Sequence, residues 1–350
     1  MHRWNVYARS YSLRHQRVAL FPNGRMTAPS RGYDLSSPVE ASVQISASLL
    51  VHETYSRLAA GDISVMDDFV ERLNAVRQTL SPVEWREHVT ETYGSHPIRP
   101  LIHEEPFTRR AFQKPRGYAG DAPLLDLIYR DALFTEEISD LGARLHAWVG
   151  SQPACRSVQE RRAILTRLID TVATERPMPR ILSLACGHLR EAQDSAAVRA
   201  GCIEEFVAVD QDAESVGLVE REQGPFKVTT VRASIRRFLA SPTIYGTFDL
   251  GYSAGLYDYL EAPVAAALTR ALFASLRPGG QLLVANFAPN LRDIGYMEAI
   301  MEWNLIYRDE LAVAQLAALI DRKEISEQSL FRDSTGNVVY MTLRKNGRAN

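Results

Sequence analysis

The chain has 350 residues and a mass of 39.2 kDa, which is enough for a catalytic-sized domain and an accessory part. Forty basic and forty-two acidic side chains give a formal charge of -2, whereas a nucleic-acid binder usually carries a clear basic excess, so we expect no nucleic-acid partner. No apolar run has the length of a membrane span, and three cysteines without metal-ligand or CxxC spacing favour a reducing cytoplasm and predict no disulfide framework or metal site.

The amino-terminal segment is rich in arginine. The first 33 residues contain six arginines and no acidic residue. Such a segment has too little apolar surface to offset the entropy lost on ordering, so we expect residues 1–37 to form a disordered tail. An organellar transit peptide is the alternative, because those peptides are also Arg-rich and poor in acids. No function is assigned to this segment.

Residues 38–176 carry a helical pattern. Apolar side chains recur at helical spacing over residues 49–58 and 65–76. The segment Ser81-Pro82-Val83-Glu84 is a capping box with proline at the first helical position, so a helix is expected to start there. Further helices are expected over residues 124–131, 135–149 and 157–174. The sequence thus predicts an all-helical amino-terminal domain.

Beyond Pro179 the pattern changes to short apolar runs that alternate with helical stretches, which predicts parallel βαβ units in a doubly wound sheet. Five strands are expected over residues 180–184, 206–210, 226–231, 248–253 and 281–286. A mostly helical insert is expected over residues 287–321. Two last strands, over residues 323–330 and 338–343, flank a turn at residues 333–337, so the sheet is expected to end in a hairpin.

The first of these strands leads into a tight turn at Gly187 and then into a helix. In an open α/β sheet this turn is where a ligand approaches the main chain closely. Asp210 ends the next strand, where an acid can accept both hydroxyls of a ribose. A dinucleotide fingerprint needs three glycines and only one is present, which favours a ligand that has a ribose and no pyrophosphate. For Gly187 alone, a simple tight turn is the structural alternative.

A second candidate segment, Gly251–Leu260, follows the fourth strand at the same edge of the sheet. Ser253 and Gly255 are small enough for a ligand to lie against the backbone there. Tyr257 and Asp258 would then face an acceptor molecule. The structural alternative is a solvated loop with one buried aromatic side chain.

A third candidate, Pro115–Asp121, lies within the helical region. A proline and two glycines exclude the interior of a helix, so the segment is expected to be a rigid turn. Arg116 on this turn is suited to a bidentate pair with a carboxylate, and Tyr118 lies beside it. The structural alternative is a helix–helix connector in which Asp121 caps the next helix.

Taken together, these segments resemble bacterial class I S-adenosylmethionine-dependent methyltransferases. More closely, they are similar to the group named for 3-hydroxypalmitic acid methyl ester biosynthesis, which also has members in natural-product pathways. The resemblance extends from about Glu40 to the end of the chain. It includes three further motifs: Arg277-Pro278-Gly279-Gly280, Asn286-Phe287-Ala288-Pro289-Asn290 and Glu302-Trp303-Asn304-Leu305-Ile306-Tyr307-Arg308.

The resemblance implies the fold class, which is α/β: a Rossmann-like, seven-stranded class I methyltransferase core with an all-helical amino-terminal domain. Residues 38–176 would form a lid or substrate domain, and residues 177–350 the core that binds S-adenosyl-L-methionine. The product of the cofactor would be S-adenosyl-L-homocysteine. The expected partner is a small-molecule substrate, and the expected state is a monomer or a homodimer.

The resemblance also implies where the cofactor lies. The residues expected to bind it are Ala185, Cys186 and Gly187 along the methionine part, Asp210 at the ribose, Gln211, Ser234 and Ile235 at the adenine, and Tyr252 and Ser253 at the reactive methyl. Many class I enzymes carry an aspartate near residue 233, and here a serine hydroxyl or a backbone group must serve instead. Arg116 and Tyr118 are expected to fold over the site and contact the cofactor's carboxylate or the substrate.

Methyl transfer from a sulfonium is an in-line displacement that depends mostly on positioning. A carboxylate acceptor needs no base, whereas an ammonium or guanidinium acceptor must first lose a proton. The candidate catalytic residues are Tyr257, Asp258 and Tyr118. Glu298 and Glu302 would share one face of a helix, either as a pair that recognises a cation or as a solvated edge.

Two acceptor classes remain open at this stage. One is carboxyl O-methylation of a hydroxy fatty acid or a related metabolite. The other is N-methylation of an amino acid or its guanidino group in a specialised pathway. A function of another class is a catalytically inactive cofactor-binding protein that acts as a sensor or partner.

Overall fold

The computed structural model describes residues 38–129, 138–223 and 226–347. Eight helices precede the first strand in these ranges: α1 (Pro38–Ala59), α2 (Val65–Thr79), α3 (Pro82–Tyr93), α4 (Ile98–Ile102), α5 (Pro106–Gln113), α6 (Ala122–Tyr129), α7 (Asp140–Ser151) and α8 (Pro153–Glu175). The expected tail and the expected helical residues 130–137 lie outside the described residues.

The predicted start of α3 is confirmed at the level of its hydrogen bonds. The Ser81 hydroxyl accepts from the Glu84 N–H at 3.4 Å, and the Glu84 carboxylate accepts from the Ser81 N–H at 2.7 Å. Two backbone donors that the first helical turn leaves unpaired are thereby satisfied. Gly94 follows the last residue of this helix, Tyr93.

Seven strands form one sheet: β1 (Arg180–Leu184), β2 (Glu205–Asp210), β3 (Val228–Arg232), β4 (Phe248–Ser253), β5 (Leu276–Phe287), β6 (Ile325–Arg332) and β7 (Val338–Lys345). Their order is β3-β2-β1-β4-β5-β7-β6. The first five are parallel, whereas β7 runs antiparallel to both β5 and β6. The predicted fold class is confirmed at the level of architecture: a Rossmann-like α/β sheet of seven strands, preceded by a helical amino-terminal part.

Seven further α-helices of the described ranges lie between these strands: α9 (Arg190–Asp194), α10 (Ala196–Arg199), α11 (Ala213–Gln223), α12 (Ile235–Ala240), α13 (Ala262–Ala274), α14 (Ile294–Ala299) and α15 (Glu310–Gln315). The insert over residues 287–321 therefore contains two short helices, where a mostly helical segment was expected. Backbone groups in the non-helical part of the insert form hydrogen bonds with the segment after β4 and with the end of β5. The N–H of Ile306 donates to the Asp258 carbonyl, and the N–H of Arg308 donates to the Phe287 carbonyl.

Hydrophobic side chains fill both faces of the sheet, as the alternation of a β-strand requires. One core contains Leu182 and Val207 together with side chains of α12 and α13. The other contains Ile181 and Phe206, and it continues without a break into the helices of the amino-terminal part. The helical part and the sheet therefore share a hydrophobic core. In the described ranges, no helix is both long and apolar enough to cross a membrane.

Candidate functional site

A cleft lies at the carboxyl ends of β1 and β4, where the strand order reverses direction. Its free volume is about 490 Å³, including the part open to solvent. The turn after β1, the end of β4 and side chains of α6 and α8 line it. Open α/β sheets bind their ligands at such a switch point, so this cleft is the first candidate for a binding site.

The turn between β1 and α9 has an unusual backbone. Ala185, Gly187 and Leu189 have positive φ angles of 58°, 54° and 52°. Non-glycine residues seldom adopt this left-handed conformation, which is found preferentially at functional sites. A Cβ atom at position 187 would also lie 3.3 Å from the Ala122 Cβ of α6. Both the conformation and this close approach favour glycine at position 187.

Asp210 is fixed beside this turn, at the end of β2. Its Oδ2 accepts from the Gly187 N–H at 2.9 Å, and its Oδ1 accepts from the Asp212 N–H at 2.9 Å. The side chain is 9% exposed, and burial raises its pKa against the opposing effect of these backbone hydrogen bonds. Each carboxylate oxygen has two acceptor positions, so the group can still accept hydrogen bonds from a ligand.

The residues expected at the adenine lie on the open rim beside Asp210. The Asp210 carbonyl accepts from the Ala233 N–H at 2.8 Å, which holds the start of α12 against the end of β2. Gln211 and Ser234 are exposed, and Ile235 is half-buried. Cys186, by contrast, is buried, and burial raises the pKa of its thiol.

The segment Pro115–Asp121 connects α5 to α6. Asp121 accepts from the Leu124 N–H at 3.0 Å and pairs with Arg110 through two hydrogen bonds of 2.8 and 2.7 Å. The structural alternative for Asp121, a cap on the next helix, is therefore correct. The paired carboxylate also ties the loop to α5.

Arg116 binds the first turn of α11. Its Nη1 pairs with Asp212 and donates to the Ser215 hydroxyl at 3.0 Å, and its Nη2 donates to Glu214 at 2.7 Å. The bidentate use of this guanidinium was expected, but its partners are carboxylates of the protein. Because α11 begins three residues after Asp210, these contacts hold the loop near that carboxylate.

Tyr118 belongs to the same loop and is half-buried. Burial raises the pKa of its phenol above the usual range, and the nearby charges of Asp210 and Asp121 raise it further. Its ring is 6.4 Å from that of Tyr259 at an interplanar angle of 82°, an edge-to-face arrangement. The structure therefore brings Tyr118 close to the residue expected to hold the ribose.

Sequence analysis missed two aromatic neighbours of Tyr118. Trp303 Nε1 donates to the Tyr259 hydroxyl at 2.9 Å. A Cβ at Gly120 would collide with that hydroxyl and would lie 2.8 Å from the Trp303 ring. We call Tyr118, Tyr259 and Trp303 the aromatic cluster. The second glycine of the loop was the available signal, because a residue without a side chain marks a close approach.

Tyr252 and Ser253 end β4. The Tyr252 hydroxyl donates to Glu191 at 2.6 Å in the buried interior. Burial raises the pKa of Glu191, although this hydrogen bond opposes the shift. The Ser253 hydroxyl is 1% exposed and has no hydrogen-bond partner among the described residues. An unpaired buried hydroxyl costs free energy, so this atom is suited to contact a ligand.

The structure separates the two candidates that follow β4. Tyr257 is 0% exposed and its hydroxyl lies 3.0 Å from that of Thr269 in α13, so this side chain belongs to the core and not to the cleft. Asp258 accepts from the Phe287 N–H at 2.7 Å. Burial raises the pKa of Asp258 to about 6, against the opposing effects of that hydrogen bond and of nearby arginines.

Glu298 and Glu302 do not share a helical face. Helix α14 ends at Ala299, and Glu302 has a φ of 49°. Glu298 is buried and pairs with Arg77 through hydrogen bonds of 2.6 and 2.9 Å, which joins α14 to α2. Glu302 is half-exposed, 3.5 Å from Arg99. Glu298 is thus a contact between the helical part and the insert, not a solvated edge.

A charged group in the cleft was also missed. His188 Nδ1 lies 2.7 Å from Asp126, which also binds Arg190 at 2.9 and 2.7 Å. Burial raises the pKa of Asp126, but the hydrogen bonds from Arg190 and His188 outweigh it and hold the value at about 2. His188 and Asp126 both line the cleft. Only the place of His188 directly after Gly187 pointed to it.

Comparison with known proteins supports the fold but identifies no family. No protein-family model matches the sequence, and no curated protein is detectably similar to it. A possible exported protein from Bordetella parapertussis superposes with a TM-score of 0.53 at 14% identity, over 89% of this chain and 100% of that one. This likeness supports the fold over most of the chain.

Two solved methyltransferases superpose less well. The N-methyltransferase NodS from Bradyrhizobium japonicum WM9, in complex with S-adenosyl-L-homocysteine, has a TM-score of 0.41 at 14% identity, over 67% of this chain and 98% of its own. Magnesium protoporphyrin IX methyltransferase from Synechocystis PCC 6803, also with that product bound, has a TM-score of 0.42 at 12% identity, over 63% and 92%. At such identities a likeness concerns the fold alone.

Proposed function

We propose that this chain is an S-adenosyl-L-methionine-dependent methyltransferase that acts on a small molecule. The observation that carries the proposal is the pairing of Asp210 with the Gly187 N–H at the switch point of the sheet. It places a buried carboxylate, with acceptor capacity left, beside a strained turn that exposes main chain. A ribose without a pyrophosphate suits this combination.

The residues present fit the cofactor. Asp210 would accept the ribose hydroxyls, and the rim formed by Gln211, Ser234 and Ile235 would hold the adenine. The strained turn at Ala185–Gly187 and the unpartnered Ser253 hydroxyl would border the methionine end. When bound, the cofactor supplies an electrophilic methyl group on a sulfonium. Nearby aromatic faces suit such a cation, and the closed loop excludes water.

For the acceptor we propose an oxygen nucleophile, a carboxylate. Tyr118 and Tyr259 have pKa values raised by burial, so both phenols stay protonated at neutral pH and donate hydrogen bonds instead of taking protons. A carboxylate acceptor needs no base, whereas an ammonium acceptor does. N-methylation is the second candidate, for which Asp258, buried at the end of β4, is the candidate proton acceptor.

The first test is isothermal titration with S-adenosyl-L-methionine and S-adenosyl-L-homocysteine. We expect both to bind, and Asp210→Asn to weaken binding about ten-fold or more, because hydrogen bonds to a charged acceptor are lost. Glu205→Gln is the matched control, since Glu205 lies at the opposite end of the same strand. Absence of binding by the wild-type protein would refute the proposal.

The acceptor is then tested in the same preparation. Carboxylic acids and amines of matched size are offered with the cofactor, and methyl transfer is followed. Turnover of acids alone agrees with the proposed acceptor, and turnover of amines alone favours the second candidate. Cofactor binding without turnover of either class favours a sensor or partner protein.

A further inference from the structure

A second cavity lies between the helical part and the insert, away from the cofactor cleft. Its free volume is about 470 Å³, including the part open to solvent. Its wall is almost entirely apolar and includes five aromatic rings, contributed by Phe107, Trp148, Phe287, Tyr296 and Trp303. Such a wall suits a flat apolar ring, which packs against aromatic side chains edge to face or offset.

Two polar atoms in this wall lack a partner. Among the described residues, neither Asp293 Oδ1 nor Gln152 Oε1 has a hydrogen-bond partner, although the two residues are only 5% and 9% exposed. Both residues line the cavity. Both atoms are hydrogen-bond acceptors. A buried acceptor without a partner is costly, so a donor in the cavity would recover free energy.

The place of Asp293 explains why an acid is tolerated there. Its other oxygen, Oδ2, accepts from the Ala154 N–H at 3.1 Å in the first turn of α8. This contact supplies the cap that Gln152, the residue before that helix, does not provide. Burial raises the pKa of Asp293. One oxygen thus serves the fold, and the other, Oδ1, is buried without a partner in a residue that lines the cavity.

The cavity adjoins the proposed reaction site. Trp303 lines the cavity and belongs to the aromatic cluster through its hydrogen bond to Tyr259. Phe287 also lines the cavity, and its N–H donates to Asp258 at the end of β4. The cavity therefore shares Trp303 and Phe287 with the residues around the proposed methyl position.

We propose that this cavity binds the distal end of the acceptor, an aromatic ring that carries a hydroxyl or amino donor, with Asp293 and Gln152 accepting its hydrogen bonds. Only the identification of this ligand as the methyl acceptor rests on the proposed function. The binding site itself rests on the aromatic wall and the two unpaired acceptors.

The test measures binding of small probes by fluorine NMR, without cofactor. The probes are 4-fluorophenol, 4-fluoroaniline and 4-fluorotoluene. At the same ring position they carry a hydroxyl, an amino and a methyl group, so only the first two have a hydrogen-bond donor. We expect the phenol or the aniline to bind about ten-fold or more tightly than the toluene, because a buried acceptor gains a partner. The phenol and aniline arms distinguish a hydroxyl from an amine.

Two variants locate the interaction. Asp293→Asn retains an acceptor for the Ala154 N–H but turns an amide donor toward the cavity, so we expect it to remove most of the preference. Gln152→Met removes the second acceptor and should reduce the preference several-fold. Asp309→Asn is the matched control, because Asp309 caps α15 by the same kind of hydrogen bond, at 2.8 Å, on the exposed surface.

Equal binding of the three probes, no binding of any, or a preference unchanged in Asp293→Asn would each overturn the proposal. Titration with S-adenosyl-L-homocysteine on the same samples keeps the two proposals separate. Loss of that binding with the probe preference intact refutes the methyltransferase proposal alone. Binding of S-adenosyl-L-homocysteine without any probe preference refutes the cavity proposal alone.

Discussion

At the scale of single residues, Asp258 has the environment with the clearest consequence for stability. Its carboxyl group is buried at the end of β4, and its folded-state pKa of about 6 exceeds the usual aspartate value. As the pH rises from about 4 to about 6, the unfolded chain releases this proton while the folded chain retains it. The free energy of unfolding therefore falls over this window, by roughly 3 kcal/mol for this group.

Asp258→Asn should remove this pH-dependent part of the free energy of unfolding, because an amide does not titrate. The amide oxygen can still accept from the Phe287 N–H. We expect the stability of the wild-type protein, relative to the variant, to fall by a few kcal/mol between about pH 4 and pH 7. Urea unfolding of the wild-type protein and of the variant at several pH values measures the two free energies of unfolding. Parallel stability curves would contradict the prediction, and Asp309→Asn controls for removal of an exposed carboxylate.

Candidate site residues could be proposed from the sequence where the pattern is local. Asp210 ends β2 and Gly187 lies three residues after β1, and strand ends are visible as the close of an apolar run. Tyr259, Trp303 and Asp293 could not, since their partners lie far away along the chain and only the fold brings them together. For Tyr257 the sequence position was misleading: the residue follows a strand at the edge of the cleft, but its ring is buried in the core.

At the scale of elements, the loop Pro115–Asp121 is fastened to α11 through Arg116. Arg116→Ala should release this fastening, so we expect faster hydrogen exchange over the loop and several-fold faster release of S-adenosyl-L-homocysteine. The free energy of unfolding should change by less than about 1 kcal/mol, because partly exposed ion pairs contribute little.

Mass-spectrometric hydrogen exchange and stopped-flow dissociation measure the two effects of Arg116→Ala. Arg332→Ala is the matched control, since Arg332 forms a comparable two-bond pair with Glu310, at 2.6 and 2.8 Å, on β6. Unchanged protection of the loop in the Arg116 variant would show that other contacts hold it in place.

Element boundaries were predictable where local pattern decides them. Strands β1 and β4 occupy the predicted residues, because buried apolar runs with polar ends set both limits. Strand β5 begins at Leu276, five residues before its predicted start. Phe248 pairs with Leu276, yet Leu250 pairs with Gln281, so residues 277–280 bulge out of the ladder. Pro278, Gly279 and Gly280 mark an irregularity in the sequence, but only the pairing with β4 shows that the strand continues on both sides of it.

At the scale of the whole molecule, the helical part and the sheet share one core, and α14 is a principal link between them. Arg77 of α2 pairs with Glu298 of α14, and Arg99 of α4 donates to the Ala299 carbonyl at 2.9 Å. Sequence analysis distinguished the two parts by their hydrophobic pattern. It did not predict this contact, because helical periodicity shows which face is apolar and not which element covers that face.

Gly295 allows the closest approach in this link. A Cβ at position 295 would lie 3.0 Å from the Asn74 Cα and 3.1 Å from the Leu73 carbonyl carbon, both backbone atoms of α2. Gly295→Ala should therefore lower the free energy of unfolding by about 1–3 kcal/mol, as overpacking does. Because the core is shared, we expect one cooperative transition in scanning calorimetry, shifted to lower temperature.

Gly217→Ala is the matched control for Gly295→Ala, because it makes the same change within helix α11. There the new Cβ would meet only the end of the flexible Arg221 side chain, at 3.4 Å. Alanine has the higher helix propensity, so this variant should gain about 0.5–1 kcal/mol. Opposite signs at the two positions would attribute the loss to contact between α14 and α2. Two separate transitions in the wild-type protein would show instead that the helical part and the sheet unfold independently, despite the core they share.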